Sequence, residues 1–67
     1  MELSRSEIEN LVDEYIVGLN AERDRIILKR RLIDGITYEK LSEENELSTI
    51  GIKNIVKKRQ NELFKRL

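Results

Sequence analysis

The chain has 67 residues, with 13 Lys and Arg against 13 Asp and Glu, so its formal net charge at neutral pH is zero. Because so short a chain supports only one small hydrophobic core, we expect a single domain over residues 1–67. The sequence contains no His and no Cys, which excludes a disulfide and a Cys/His zinc site, and we expect neither a metal nor a cofactor. No apolar run reaches the roughly 20 residues of a membrane span and no signal-peptide pattern opens the chain, so we expect a cytoplasmic protein that binds no membrane.

The first predicted helix spans about residues 5–17. Ser4 followed by Glu7 has the spacing of a capping box, and Gly18 offers a left-handed stop. Helical spacing places six apolar residues on one face: Ile8, Leu11, Val12, Tyr15, Ile16 and Leu19. This face either packs into the core of the same chain or forms a homodimer interface, since so small a chain can leave apolar residues uncovered.

The second predicted helix begins at an N-cap, Asn20, and extends to about Ile33, with Gly35 as its stop. Its apolar residues are Ile26, Ile27, Leu28, Leu32 and Ile33. A basic run near its end, Lys29, Arg30 and Arg31, is interpreted mainly as solvated surface, with Arg31 paired to Glu39 or Asp34.

Two further helices are predicted in the C-terminal half. Thr37 caps a short helix from Tyr38 to about Asn45, in which Tyr38 and Leu41 face inward, and Ser48 caps a last helix from about Thr49 to the C-terminus. The buried side of that last helix is expected to carry Ile52, Ile55, Val56, Leu63 and Leu67. The sequence therefore predicts an all-α fold, a small four-helix domain with short connections.

The short helix, a turn over residues 46–48 and the long helix have the outline of a helix-turn-helix at about residues 37–66. Four apolar residues are placed to fix the two helices across each other: Leu41, Leu47, Ile52 and Ile55. On the opposite side of the last helix, residues at helical spacing are available to enter a DNA major groove: Thr49, Ile50, Lys53, Asn54 and Lys57. The alternative is an ordinary helical hairpin in a small bundle.

On these residues the sequence resembles a known family. The stretch DRIILKRRLIDGITYEKLS (residues 24–42), followed by Leu47, Ser48, Ile52 and Lys53, is similar to the fourth conserved region of bacterial sigma factors and to related small regulators of bacteria and phages. The resemblance covers about residues 21–67. It implies that the last helix binds promoter DNA and that the domain contacts RNA polymerase. By position, it implies base contacts for Thr49, Ile50, Lys53 and Asn54, and an approach to phosphate for Arg31 and Thr37.

The predicted function is a sequence-preferring, double-stranded-DNA-binding transcription regulator, in which Lys57 and Lys58 add contacts to phosphate. The run that continues into Arg59 is interpreted in the same way, with the solvated side of a long helix as the alternative. The alternative is a sigma-like adaptor that docks on RNA polymerase or another regulator. It is motivated by the missing Arg on the exposed face, by the loss of the usual turn Gly and by the acidic residues Glu39, Glu43, Glu44 and Glu46. No catalytic residues are expected. The sequence has no His, no Cys and no glycine-rich phosphate loop, and so short a chain has little room for a water-excluding pocket.

The neutral balance of charge conceals a polarised chain. Residues 1–22 hold one basic and six acidic side chains, whereas residues 48–67 hold six basic and one acidic. Neutrality therefore does not exclude nucleic acid as a partner, because the last helix alone is strongly positive.

Overall fold

The computed structural model describes residues 3–65, which form four α-helices: α1 (Arg5–Tyr15), α2 (Ala21–Leu32), α3 (Tyr38–Asn45) and α4 (Thr49–Phe64). No strand occurs within this range. The prediction of an all-α four-helix fold is confirmed. Two residues used in the predictions, Arg66 at the end of the proposed helix-turn-helix and Leu67 on the buried side of the last helix, lie outside the described residues.

Side-chain caps explain where three of the helices begin. Ser4 and Glu7 form the predicted capping box at α1, the Thr37 Oγ1 accepts a hydrogen bond from the Lys40 N–H, and the Ser48 Oγ accepts one from the Gly51 N–H. Asn20 does occupy the N-cap position of α2. The predicted mechanism is wrong there, because its backbone is left-handed (φ 62°) and its side chain makes no capping bond.

The connection between α1 and α2 differs from the prediction. The first helix ends at Tyr15 rather than near residue 17, because Ile16 is extended and turns its side chain into the core. Gly18 does have a positive φ, 92°, but it bends the connection two residues beyond Ile16 and does not cap the helix. Leu19 therefore lies outside the helix, with 86% of its surface exposed, and its predicted place on the apolar face is wrong.

All four helices contribute to one core, and α4 packs against each of the other three. The fully buried apolar side chains come from every helix and from the α1–α2 connection: Val12, Ile16, Ile27, Leu28, Leu41, Ile52, Val56 and Leu63. Half-buried apolar residues pack around them and include Ile8, Leu11, Tyr15, Leu32, Ile36, Tyr38, Leu47 and Ile55. Most of the apolar face of α1, the candidate homodimer interface, is thus used inside the same chain.

The turn between α3 and α4 is compact. Glu46 takes a left-handed conformation (φ 55°) as the C-cap of α3, and the Leu47 N–H donates to the Ser42 carbonyl over 3.1 Å. Gly51 follows in the first turn of α4, where a Cβ atom would lie only 3.1 Å from the Ser48 Oγ. The glycine therefore leaves room for the hydroxyl that caps α4.

Within residues 3–65, every helix is too short or too polar to cross a lipid bilayer.

Candidate functional site

Helix α4 has two faces of different character. Its buried side carries Ile52, Val56 and Leu63, and a single charged residue, Arg59, continues this side. The opposite side is exposed to solvent. We call it the lysine face and define it by the exposed residues of α4: Ile50, Lys53, Asn54, Lys57, Lys58, Asn61 and Phe64.

Arg59 lies at the centre of a buried polar network. Its Nε donates to Asp24 Oδ2 over 2.7 Å, and its two Nη atoms donate to Glu62 Oε2 over 2.9 Å and to the carbonyls of Val17 and Leu19 over 3.2 and 3.0 Å. Arg59 and Asp24 are only 7% and 5% exposed. The prediction that Arg59 belongs to a phosphate-binding run is wrong, because its buried guanidinium makes four hydrogen bonds within the chain, three of which join α4 to α2 and to the α1–α2 connection.

The partners of Arg59 also fix its charge. Hydrogen bonds to Asp24 and Glu62 raise the pKa of Arg59 above the ordinary arginine value, despite the opposing effect of burial. The guanidinium is therefore protonated at neutral pH. A paired buried charge of this kind is costly to disrupt, because removing one partner leaves the other without compensation.

Every arginine within residues 3–65 has a partner in the same chain. Arg5 pairs with Glu9, Arg23 pairs with the second oxygen of Asp24, and the Arg25 Nε donates to the Ile16 carbonyl over 2.7 Å. Arg30 pairs with Glu44 and lies 3.8 Å from Asp34. The arginines of the described chain are thus engaged in holding its helices and connections together.

Arg31 has different partners from the predicted ones. Neither Glu39 nor Asp34 pairs with it; its Nη1 donates to the Ile36 carbonyl over 3.0 Å and its guanidinium lies 4.3 Å from the centroid of the Tyr38 ring. Lys53 approaches the same ring at 5.7 Å. Tyr38 therefore links the end of α2 to the lysine face through two cation–π contacts.

The lysines are distributed in the opposite way. Lys29 on α2 pairs with Asp13 over 2.7 Å. The other lysines in the described part of the chain make no ion pair with any described carboxylate, and four of the five lie on α4 or at its end: Lys40, Lys53, Lys57, Lys58 and Lys65. The exposed positive charge of α4 is therefore carried by lysines that the described part of the chain does not pair.

The structure places most of the predicted contact residues together. Ile50, Lys53, Asn54, Lys57 and Lys58 all lie on the lysine face, and Ile50 is 71% exposed. Two predicted residues lie elsewhere, in positions that do not belong to this face: Thr49 is half-buried at the first position of α4, and Thr37 is exposed at the N-cap of α3.

Sequence reasoning missed two features of α4. Asn61 lies on the lysine face one turn beyond Lys57, as its spacing of four residues indicates. Arg59 lies seven residues after Ile52 and four before Leu63, so the period of the apolar residues already placed it on the buried side. A charged residue on an apolar stripe was the available signal for a buried ion pair.

Acidic residues of two kinds matter for the site. Those that make an ion pair or a capping bond serve the fold: Glu7, Glu9, Asp13, Asp24, Asp34, Glu44 and Glu62. Glu39, Glu43 and Glu46 are exposed on α3 and the following turn, without an ion pair to residues 3–65. No group of described carboxylates is arranged to hold a metal ion.

The stretch that resembles the sigma-factor region begins in α2 and continues through α3 into α4. Comparison with protein-family models, curated proteins and solved structures finds no match to this chain. The resemblance therefore rests on the sequence motifs alone. A proposal for the function of the protein has to be argued from the geometry and charge of α4.

Proposed function

We propose that this protein is a DNA-binding transcription regulator in which α3, the turn and α4 act as a helix-turn-helix and the lysine face enters the major groove. The observation that carries the proposal is the separation of cations on α4. Arg59 is buried and paired with Asp24 and Glu62, whereas three lysines are exposed and have no ion pair within the described chain: Lys53, Lys57 and Lys58.

Unpaired lysines on one face suit a phosphate backbone. Binding of each phosphate by a lysine releases condensed counterions, which provides affinity without dependence on base sequence. Lys57 lies near the middle of the lysine face, with Lys53 one turn before it and Lys58 at the margin. We assign these three residues to phosphate.

Side chains near the start of α4 are assigned to base contacts: Thr49, Ile50 and Asn54. Thr37 is assigned to phosphate, since its Oγ1 accepts the Lys40 N–H at 3.2 Å and its hydroxyl hydrogen is still able to donate to a phosphate oxygen. Positions at the beginning of a recognition helix approach base edges most closely.

The proposal is tested by the salt dependence of binding to a fluorescent duplex of random sequence. Lys57→Gln lowers affinity for all sequences alike and reduces the slope of log affinity against log salt by about 0.9. The matched control is Lys29→Gln, which removes the same charge from α2, where Lys29 is paired with Asp13. Failure of the folded wild-type protein to bind any duplex at low salt would overturn the proposal.

A second candidate function is docking on a protein. Val17, Leu19 and Ile26 are exposed apolar residues on the α1–α2 connection and α2. Arg59 holds the carbonyls of Val17 and Leu19, so this loop is fixed while its side chains remain in solvent. Such residues suit a protein partner such as RNA polymerase or another regulator.

Binding of purified bacterial RNA polymerase distinguishes this candidate from DNA binding. If the protein is an adaptor, Leu19→Ser weakens the complex with polymerase and Lys57→Gln has little effect on it. If DNA is the partner, the two variants exchange roles in a duplex-binding assay. Sedimentation across a range of concentrations tests the homodimer through α1, which is compatible with either function.

A further inference from the structure

We propose that the lysine face selects A·T base pairs in the major groove, with Ile50 against the methyl group of thymine and Asn54 bound to adenine. This inference rests on the proposed DNA-binding function and specifies its target. It follows from the exposure of these two side chains, from their spacing along α4 and from the absence of a hydrogen bond between the Asn54 amide and the described chain.

Ile50 is an apolar side chain held out in solvent. It is the second residue of α4, it is 71% exposed, and the neighbouring Ile52 instead enters the core. In the major groove, thymine alone among the bases offers an apolar methyl group, and aliphatic side chains make their specific contact there. The contact would remove from water an apolar surface that the fold itself leaves uncovered.

Asn54 follows Ile50 by four residues, so the two side chains lie on adjacent turns of the same face. The Asn54 amide makes no hydrogen bond with the described chain, whereas the amide of Asn45 is occupied by the Leu41 carbonyl at 2.8 Å. A free carboxamide presents a donor and an acceptor side by side, which matches the N7 acceptor and N6 donor of adenine.

Arginine, the residue that most often binds guanine, is missing from this face. Guanine is bound most often by the planar fork of arginine, and each described arginine is engaged within the fold. Lys53, the cation nearest to Ile50 and Asn54 along the face, lies 5.7 Å from the Tyr38 ring and is assigned to phosphate rather than to a base. The base-contacting chemistry of the lysine face therefore favours A·T over G·C.

The test uses alternating duplexes as probes: dA-dT, dA-dU, dI-dC and dG-dC. Uracil lacks the thymine methyl group, and an I·C pair presents the minor groove of A·T with the major-groove hydrogen-bonding groups of G·C. We expect dA-dT to bind best and dI-dC to bind as weakly as dG-dC. The dA-dU duplex should bind about 4-fold more weakly than dA-dT for each thymine methyl group that Ile50 covers.

Variants of the protein, tested on the same duplexes, show which side chain is responsible for each base preference. In Ile50→Ser, which replaces the apolar side chain by a small polar one, dA-dT and dA-dU should bind equally. Asn54→Ala should reduce the preference for dA-dT over dG-dC by roughly 10-fold, whereas Asn10→Ala, the same change at an exposed position of α1, should keep it. Circular dichroism of each variant establishes that it is folded.

Two results would overturn the inference and leave the DNA-binding proposal standing. One is equal affinity of the wild-type protein for dA-dT and dA-dU; the other is binding of dI-dC as tight as that of dA-dT, which would indicate the minor groove or duplex shape. No binding to any of the four duplexes at low salt would overturn both proposals.

Discussion

The two faces of α4 carry cations of the same sign in opposite circumstances. On one face Arg59 is 7% exposed and its guanidinium is bound by Asp24, Glu62 and two carbonyls. On the other face Lys57 and Lys58, the two preceding residues, are exposed and have no ion pair within the described chain. Adjacent positions in a basic run thus lie in opposite environments.

The difference follows from side-chain chemistry and from the period of the helix. A guanidinium offers five donors in a fixed plane and satisfies several acceptors at once, whereas an ammonium is a compact, strongly hydrated charge. About one hundred degrees of rotation per residue moves a side chain from the solvent to the core within two positions. Positive charge in a sequence indicates a binding surface only where the helix period also leaves it exposed.

The largest expected effect comes from Arg59 on the buried face. Arg59→Ala leaves Asp24 without its closest partner and releases the carbonyls of Val17 and Leu19, so we expect a loss of about 3 kcal/mol in the free energy of unfolding. Lys58→Ala, the matched change one residue earlier, should alter stability by less than about 0.5 kcal/mol. Urea unfolding followed by circular dichroism measures both. Equal losses would abolish the distinction between the two faces.

A smaller loss of stability is expected at the N-cap of α4, Ser48, which supports the helix that carries both faces. Ser48→Ala removes the acceptor for the Gly51 N–H and should cost about 1 kcal/mol of stability. Ser48→Asp keeps an acceptor at the N-cap and should retain most of it. The same urea unfolding experiment measures the stability of both variants. An unchanged unfolding midpoint for Ser48→Ala would mean that the cap does not contribute to stability.

The smallest effect is expected at an exposed ion pair, which provides a contrast to the buried one. Arg30 and Glu44 form two hydrogen bonds between α2 and α3, but both side chains are partly exposed to water. Arg30→Gln should destabilise the fold less than Arg59→Ala does, and added salt should reduce the difference from wild type further. A loss that is large and insensitive to salt would show that this pair behaves as a buried one.

Local patterns in the sequence were sufficient for much of the fold. Ser4, Thr37 and Ser48 cap the helices as predicted, because capping depends on residues within four positions. The predicted bounds of α3 agree with the structure for the same reason.

Contacts between distant parts of the chain could not be predicted in this way. Asp24 and Arg59 are 35 positions apart, and no local pattern specifies that they meet. The exposure of Leu19 depends on Ile16 leaving the helix and entering the core, which is a consequence of packing. For the candidate site, the period of α4 placed Ile50, Lys53, Asn54 and Lys57 correctly on the exposed face but not Thr49, and the partners that neutralise each arginine required the structure.

The most direct test of the central claim is a titration of the isotopically labelled protein with duplex DNA, followed by backbone amide chemical shifts. If the lysine face binds DNA, the shifts should change most at Ile50, Lys53, Asn54, Lys57 and Asn61, and little along α1. Changes centred instead on Val17, Leu19 and Ile26, with the lysine face unaffected, would contradict the account.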